Sequence, residues 1–569
     1  MAGLRPAAEA GYKVAMIRFR PLAAAPLALA LIAAPAAAVD RAPDRTAATD
    51  YVLARAADAN GDLNRAAAGY AAAYALTPDA RLGSRVYRQA VSAGDFRAAL
   101  AAARNLQAAD ALPSDGRLLL IAEAVQRRDW ARARAALAAM PDGDVFGFLT
   151  PIIQAWISFG EGKDPMPLLV PGKGGAIALP YIAEHRALLL IAGGRMAEGI
   201  SQLATMSATR GGREVRLRLA AAAALDPSKP DERTRALAVL QGDDALFVEA
   251  RAIVSAGRRL PGAIRTPAAG MGELLTRVAA DLNRDRVTPV ALSLARIATF
   301  LDPDNAESWL VTTTLLAGVG LNDLALDALG RVAADDPFAT AARDLRLRLL
   351  VREDRAEEAL GLARAAATAK GAGAAEWTRV GDILNQLDKP ADAADAYGKA
   401  IALSEANPDP AGSGLAVLWL LRGGALERAG DWAAARPALE KAVAMAPDSA
   451  AALNYLGYAR LERGEDIAGA AQLIEKANRL APDDPAITDS LGWAYYRLGR
   501  LPQAISTLEK AVAGEPGDAD INDHLGDAYW AAGRRFEARY AWRAASVYAS
   551  DDKKGRLLAK IENGPPARP

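Results

Sequence analysis

The chain has no cysteine and only two histidines, His185 and His524. Without cysteine there can be no disulfide, thiolate nucleophile, cysteine-ligated zinc or cysteine-linked lipid anchor. Two histidines leave little material for a histidine metal site or a catalytic triad. Because His185 has no second candidate ligand nearby in the sequence, we expect a packed or surface side chain. We therefore predict no catalytic residue, no metal site and no cofactor.

An excess of charge of one sign is also missing, since Lys+Arg and Asp+Glu both number 68. No basic block of the kind that grips a phosphate backbone is present, so we expect no nucleic-acid partner. Residues 171–175 read PGKGG, but they lack the spacing of a phosphate-binding loop and no strand precedes them. These absences argue against an enzyme; a catalytic segment hidden in residues 141–271 is the remote alternative.

Aromatic residues make up only 6% of the chain, and β-branched residues are sparse. Alanine dominates the composition, together with leucine, arginine and glutamate, which are all strong helix formers. The composition therefore predicts an all-α protein.

The N-terminus has the pattern of an export signal. Lys13, Arg18 and Arg20 form a basic region, and residues 21–34 read PLAAAPLALALIAA. Three alanines at residues 36–38 then form a small-residue cleavage site before Val39. The pattern predicts a cleaved signal peptide at residues 1–38, with either Met1 or Met16 as the start. Retention of the apolar run as a membrane anchor is the alternative.

The C-terminal half repeats itself with a period of 34 residues. Residues of 485–518 recur in 519–552, where Leu491, Gly492, Tyr495, Gly499, Ala504 and Ala511 correspond to Leu525, Gly526, Tyr529, Gly533, Ala538 and Ala545. Repeats of this length indicate a solenoid, in which each unit buries its apolar face only by stacking on its neighbours.

The repeated pattern resembles the tetratricopeptide-repeat family. Residues 416–449 and 450–484 fit the same pattern of bulky, small and proline positions. The resemblance implies a right-handed superhelical solenoid of antiparallel helix pairs, with small residues such as Gly492 where the two helices of a unit approach most closely. Such a scaffold binds proteins or peptides on its concave surface.

Changes in amino-acid composition and the frame of the 34-residue repeat predict the domain boundaries. We expect a signal peptide at residues 1–38, N-terminal repeats at 39–147, degenerate helical repeats with a Pro/Gly-rich interruption at 148–271, a central array at 272–407, a loop at 408–415, a C-terminal array at 416–552, and a capping helix with a frayed tail at 553–569.

The candidate site is the inner face of the C-terminal repeats, which the family resemblance assigns to certain positions of each first helix. These positions are occupied by Asn454, Tyr458, Asp489, Trp493, Tyr496, Asp523, Asp527 and Trp530, with Arg497 at the rim. Exposed aromatics flanked by carboxylates would suit a protein-binding groove that favours Lys or Arg in its partner. The alternative is that Trp493 and Trp530 pack between neighbouring repeats.

The C-terminal run from DSLGWAYYRLGR onward is similar to envelope tetratricopeptide proteins of proteobacteria. The resemblance implies an exported, periplasmic scaffold or adaptor, one possibility being an adaptor of an envelope protease. An assembly factor for a pilus or secretion system is the alternative. The Lys and Asn residues with which some relatives clamp a C-terminal carboxylate are absent here.

Overall fold

The chain folds as helices joined by short turns. The computed structural model describes residues 46–170, 175–207, 213–284, 288–407 and 413–565, and these residues contain no strand. The fold class predicted from the sequence, an all-α solenoid of antiparallel helix pairs, is confirmed. The expected signal peptide at residues 1–38 lies outside the described residues.

The N-terminal repeats are three helix pairs. They comprise α1 (Ala47–Ala59) with α2 (Leu63–Leu76), α3 (Ala80–Ala93) with α4 (Phe96–Ala108), and α5 (Ser114–Gln126) with α6 (Trp130–Ala138). The second helix of each pair begins after an aspartate, Asp62, Asp95 or Asp129, whose carboxylate accepts a hydrogen bond from a backbone N–H in the first turn. This capping contact satisfies a helix N–H that would otherwise have no partner, and so fixes where each second helix starts.

The segment that the sequence marks as degenerate is less regular. It holds α7 (Thr150–Gly160), α8 (Gly175–Ala192), α9 (Met196–Ser207), α10 (Arg213–Ala223), α11 (Pro230–Val239) and α12 (Ala245–Ser255), with short 3-10 turns at Gly147–Leu149 and Met166–Leu168. Among the described residues, α8 is the one helix long and apolar enough to cross a membrane by length and composition. It lies in the core, since 56% of that stretch is buried.

The next pair, α13 (Pro267–Arg284) and α14 (Thr288–Leu301), packs against distant helices of the N-terminal half. Its contacts reach α3, α5, α7 and α8. The guanidinium Nε of Arg296 donates to the carbonyl of Ser92 at 2.9 Å, and the rings of Phe96 and Phe300 are 4.6 Å apart. The N-terminal helices therefore curve around this pair, whereas repeat stacking alone predicts contacts between neighbours only.

Seven further helix pairs and one final helix complete the described part of the chain. They comprise α15 (Ala306–Gly318), α16 (Asn322–Leu329), α17 (Ala339–Arg352), α18 (Ala356–Ala367), α19 (Ala374–Gln386), α20 (Pro390–Ala406), α21 (Ser413–Arg428), α22 (Trp432–Met445), α23 (Ala450–Arg463), α24 (Ile467–Leu480), α25 (Pro485–Arg497), α26 (Leu501–Gly514), α27 (Ala519–Ala531), α28 (Arg535–Tyr548) and α29 (Asp551–Asn563). The final helix begins two residues before the boundary expected for the cap, and residues 408–412 of the expected loop lie outside the described part of the chain.

The small residues of the repeat lie where the sequence places them. A Cβ atom on Gly492 would come within 2.6 Å of Leu508 Cγ, and one on Gly457 within 2.9 Å of the Ala470 carbonyl oxygen. Both distances are shorter than carbon side chains tolerate, so the two helices of these pairs can approach this closely only with glycine at the crossing. The predicted register of the C-terminal repeats is therefore consistent with the packing.

Candidate binding surface of the C-terminal repeats

The predicted site residues lie along the seams between consecutive first helices, α23, α25, α27 and the capping helix α29. Side chains on one first helix bond side chains on the next. The indole N–H of Trp493 donates to Glu462 at 2.6 Å, and His524 Nδ1 lies 2.9 Å from a carboxylate oxygen of Asp489. The sequence analysis predicted that these residues share one face of consecutive first helices, and it did not predict these bonds between repeats.

The three carboxylates expected to recruit a basic partner already have basic or N–H partners within the chain. Asp489 is paired with His524, and Lys560 of the capping helix lies 2.6 Å from Asp523 and 2.8 Å from Asp527. Asp489 and Asp523 are also buried. The expectation of exposed carboxylates is therefore corrected at these positions, because the next first helix or the capping helix supplies a cation to each.

Trp493 stands at the centre of an aromatic stack that joins two repeats. Its ring stacks on Tyr496, with centroids 4.6 Å apart, and on the imidazole of His524, with centroids 4.3 Å apart. Tyr496 is buried, contrary to the expected exposure, whereas Trp493 keeps part of its surface open. Trp493 thus contributes to packing between repeats and also borders the surface.

Trp530 lies beneath the end of the chain. A Cβ atom on Gly564 would fall 2.2 Å from its ring, the Trp542 ring is 5.4 Å away, and the guanidinium of Arg535 lies 4.6 Å above it. These contacts favour the packing alternative for this tryptophan, because the C-terminal segment occupies the space that an external partner would need.

Four residues of the predicted surface on α23 and α25 are partly exposed, namely Asn454, Tyr458, Trp493 and Arg497. Asp527 and Trp530 on α27 are also partly exposed, but α29 and the residues after it contact them. Glu462 connects two of the first four, since its carboxylate receives the Trp493 N–H and lies 3.5 Å from Arg497. Asn454 Oδ1 is buried and accepts no hydrogen bond from the described residues. The oxygen itself is closed to solvent, so the exposed part of Asn454 contributes to the surface without offering this acceptor to a bound segment.

The Asp489–His524 pair makes the stability of this region pH-dependent. Burial lowers the pKa of His524, but the charge and hydrogen bond of Asp489 outweigh burial and raise the pKa to about 9. The imidazolium therefore contributes stability that is fully present below pH 6.5, the pKa of an unperturbed histidine, and is lost as the pH rises through 9.

We expect His524→Gln to lower the free energy of unfolding of the C-terminal repeats by about 3 kcal/mol at most, at 1.36 kcal/mol per pKa unit. The difference from the unchanged protein should shrink between pH 7 and 10, as the native imidazolium deprotonates. Thermal melts of both proteins across this range test the effect. A difference that stays constant with pH would show that the imidazole acts by packing alone.

The sequence matches known repeat families in this same region. Residues 420–485 and residues 465–522 each match a family described as tetratricopeptide repeat. The two matches overlap and cover first helices α23 and α25, where the glycine crossings and the seam bonds are found. Residues 420–522 therefore match tetratricopeptide repeats. No curated protein matches the chain.

Several solved structures are similar to parts or most of this chain. YrrB, described as a TPR protein with an unusual peptide-binding site, is 19% identical over 33% of this chain and 92% of its own, with a TM-score of 0.26. MamA from Desulfovibrio magneticus RS-1 is 20% identical over 32% and 97%, with a TM-score of 0.27. The APC/C hetero-tetramer Cut9–Hcn1 is 14% identical over 91% and 96%, with a TM-score of 0.36.

A cluster of buried charges outside the matched tetratricopeptide repeats was not predicted. Arg216 Nε donates to Glu273 at 3.0 Å, and Arg277 lies 3.4 Å from Glu307. Glu273 also accepts from the Asn305 amide at 3.3 Å. The cluster ties α10, α13 and α15 together. A signal was available in the sequence, since these helices carry charged residues at positions whose neighbours are apolar.

His185 belongs to the same core and is a packed residue, as expected. The indole N–H of Trp156 donates to its Nδ1 atom at 3.0 Å, and burial lowers the pKa of His185 to about 4. The imidazole is therefore neutral at pH 7 and accepts a hydrogen bond. In the described residues, no group of three or more histidine, aspartate or glutamate side chains is arranged to hold a metal ion.

Proposed function

We propose that the chain is a scaffold that binds a segment of another protein on the inner surface of its C-terminal tetratricopeptide repeats. The observation that carries the proposal is the partly open surface of Tyr458, Trp493 and Arg497. Aromatic and arginine side chains contribute most strongly to protein interfaces.

The chemistry of this surface selects a different partner from the one that exposed carboxylates would select. Because Asp489, Asp523 and Asp527 are paired within the chain, they offer little free negative charge to a Lys or Arg of the partner. We propose instead that the bound segment places an apolar side chain against Tyr458 and Trp493 and a backbone carbonyl oxygen beside Arg497. Binding to such a surface depends weakly on salt.

Site-specific photocrosslinking in intact cells tests the proposal. A photoreactive residue at Tyr458 should give discrete protein adducts, and the same residue at the exposed Gln472 on α24 should not. Arg497→Gln removes a partly exposed arginine whose pair with Glu462 is long, at 3.5 Å, so it should reduce the Tyr458 adducts with little change in melting temperature. Equal labelling from both positions, or adducts indifferent to Arg497→Gln, would count against this surface.

We also propose that the protein is exported and works in the periplasm, on the support of the basic and apolar pattern at residues 13–38. N-terminal sequencing of the mature protein should then begin at or near Val39. A cytoplasmic protein that retains residues 1–38 would contradict export. Within the envelope, we propose an adaptor of a protease, with assembly of a pilus or secretion system as the alternative. The identity of the adducts formed at Tyr458 separates the two.

A further inference from the structure

The outer face of α28 carries an apolar stripe in solvent. Phe536, Tyr540 and Val547 are 70%, 55% and 70% exposed. At about 100° per residue these side chains and Arg543 fall within about 60° of one another around the helix, which makes a continuous stripe. The buried residues Ala538, Trp542 and Ala545 lie on the opposite side of the helix.

The stripe is a property of the last repeat and not of the repeat in general. One period earlier, on α26, the residues corresponding to the stripe are Pro502, Ser506, Glu509 and Ala513. The outer face of a surface helix ordinarily carries polar or small residues, as α26 does. A row of large aromatic side chains in solvent therefore marks an interaction surface.

The stripe lies among basic side chains. Arg543 lies 5.6 Å from the Tyr540 ring, and the Phe536 and Tyr540 rings are 4.8 Å apart. Both Arg535 and Arg543 are exposed, and neither forms an ion pair with any residue in the described part of the chain. A partner that covers the aromatic rings would thus meet the unneutralised charge of Arg543 on the stripe and that of Arg535 at its edge, where Arg535 lies over the Trp530 ring.

We propose that the outer face of α28 docks an acidic amphipathic helix of another protein. Its apolar side chains would cover Phe536, Tyr540 and Val547, and its carboxylates would pair with Arg535 and Arg543. Tyrosine and arginine are enriched among interface residues that carry binding energy, and helices recognise one another through such stripes. This surface lies on a different helix and is separate from the inner surface proposed above.

Charge also distinguishes this partner from two other occupants. In a symmetric contact between two copies, the same patch faces itself, so Arg535 and Arg543 would oppose their own counterparts. An anionic membrane would attract these arginines, but it would also repel the exposed Asp551 and Asp552, which begin α29 just after α28 ends. An acidic helix can place its carboxylates on the arginines alone, which is why we propose it over both.

The experiment measures binding of the full chain to two synthetic helical peptides. Both peptides carry leucine at the same positions, and the remaining positions are glutamate in one peptide and lysine in the other. Fluorescence anisotropy should give a dissociation constant at least about tenfold lower for the glutamate peptide. Phe536→Ser and Arg543→Glu should each weaken that binding by about tenfold or more. Two control variants should leave the affinity for the glutamate peptide unchanged. Val52→Ser replaces an exposed apolar residue on α1, and Asn454→Leu changes the inner surface.

The remaining outcomes overturn the proposal. Equal affinity for the two peptides, no binding of the glutamate peptide, or indifference to Phe536→Ser would each show that the stripe does not recognise an acidic helix. Binding to phosphatidylglycerol vesicles that Phe536→Ser abolishes, without preference between the peptides, would assign the surface to a membrane. A dimer in sedimentation that the same variant abolishes would assign it to a second copy. Circular dichroism of each variant confirms that the chain is folded.

Discussion

Glu273→Ala is expected to destabilise the packing of α10, α13 and α15 by about 3–5 kcal/mol, because it breaks a buried ion pair and leaves Arg216 and Arg277 to share the carboxylate of Glu307. Burial would raise the pKa of Glu273, but the charges of Arg216 and Arg277 outweigh it and hold the pKa below its usual value. The carboxylate is therefore charged in the folded protein, and its loss exposes Arg216, 5% accessible, to an environment that provides little solvation.

The matched control is Glu198→Ala, which breaks an exposed pair with Arg195 on α9. Exposed pairs contribute little, so the melting temperature of this variant should not change measurably. Chemical denaturation and hydrogen exchange of amides in α10 and α13 measure the two effects. Equal, small losses of unfolding free energy in both variants would mean that water reaches the Glu273 cluster and that its ion pairs are solvated.

Trp156→Ala should be comparably damaging, with a loss of about 3–5 kcal/mol in the region where α7, α8 and α13 meet. The Trp156 side chain is fully buried, and a Cβ atom on Gly270 would lie 2.1 Å from its ring, so α13 packs directly on the indole. Removal of the indole leaves a cavity and also deprives the buried His185 Nδ1 of its donor. Both effects oppose folding.

Trp432→Ala is the comparison for this variant, since its indole N–H donates to Glu465 but its ring is only partly buried. Because long repeat arrays depart from two-state unfolding, hydrogen exchange along the chain is the informative measurement. Trp156→Ala should increase exchange in α3, α5 and α13, whereas Trp432→Ala should act mainly on α21 to α24. Faster hydrogen exchange in α27 of Trp156→Ala would contradict the expectation that the N-terminal and C-terminal helices unfold separately.

The sequence by itself determined the helical class, the period of the repeat and the register of the C-terminal pairs. It could do so because these features depend on local spacing: Gly492 must stand where the two helices of a pair cross, and Asp95 or Asp129 must precede the helix that it caps. The same local rules predict which residues share the seam of the first helices, including Asp489 and Trp493.

Only the tertiary structure decided which of these residues are open to a partner. Whether Asp523 faces solvent or Lys560 depends on how the capping helix lies against α27, and side chains more than thirty residues apart meet there. The pairing of α13 and α14 with α3 and α5 likewise depends on the curvature accumulated over many repeats. Small rotations between successive units add up along a solenoid, and no single repeat encodes their sum. The spacing of residues along the chain therefore determined the register of each helix pair, while the angles between successive pairs determined which residues are exposed.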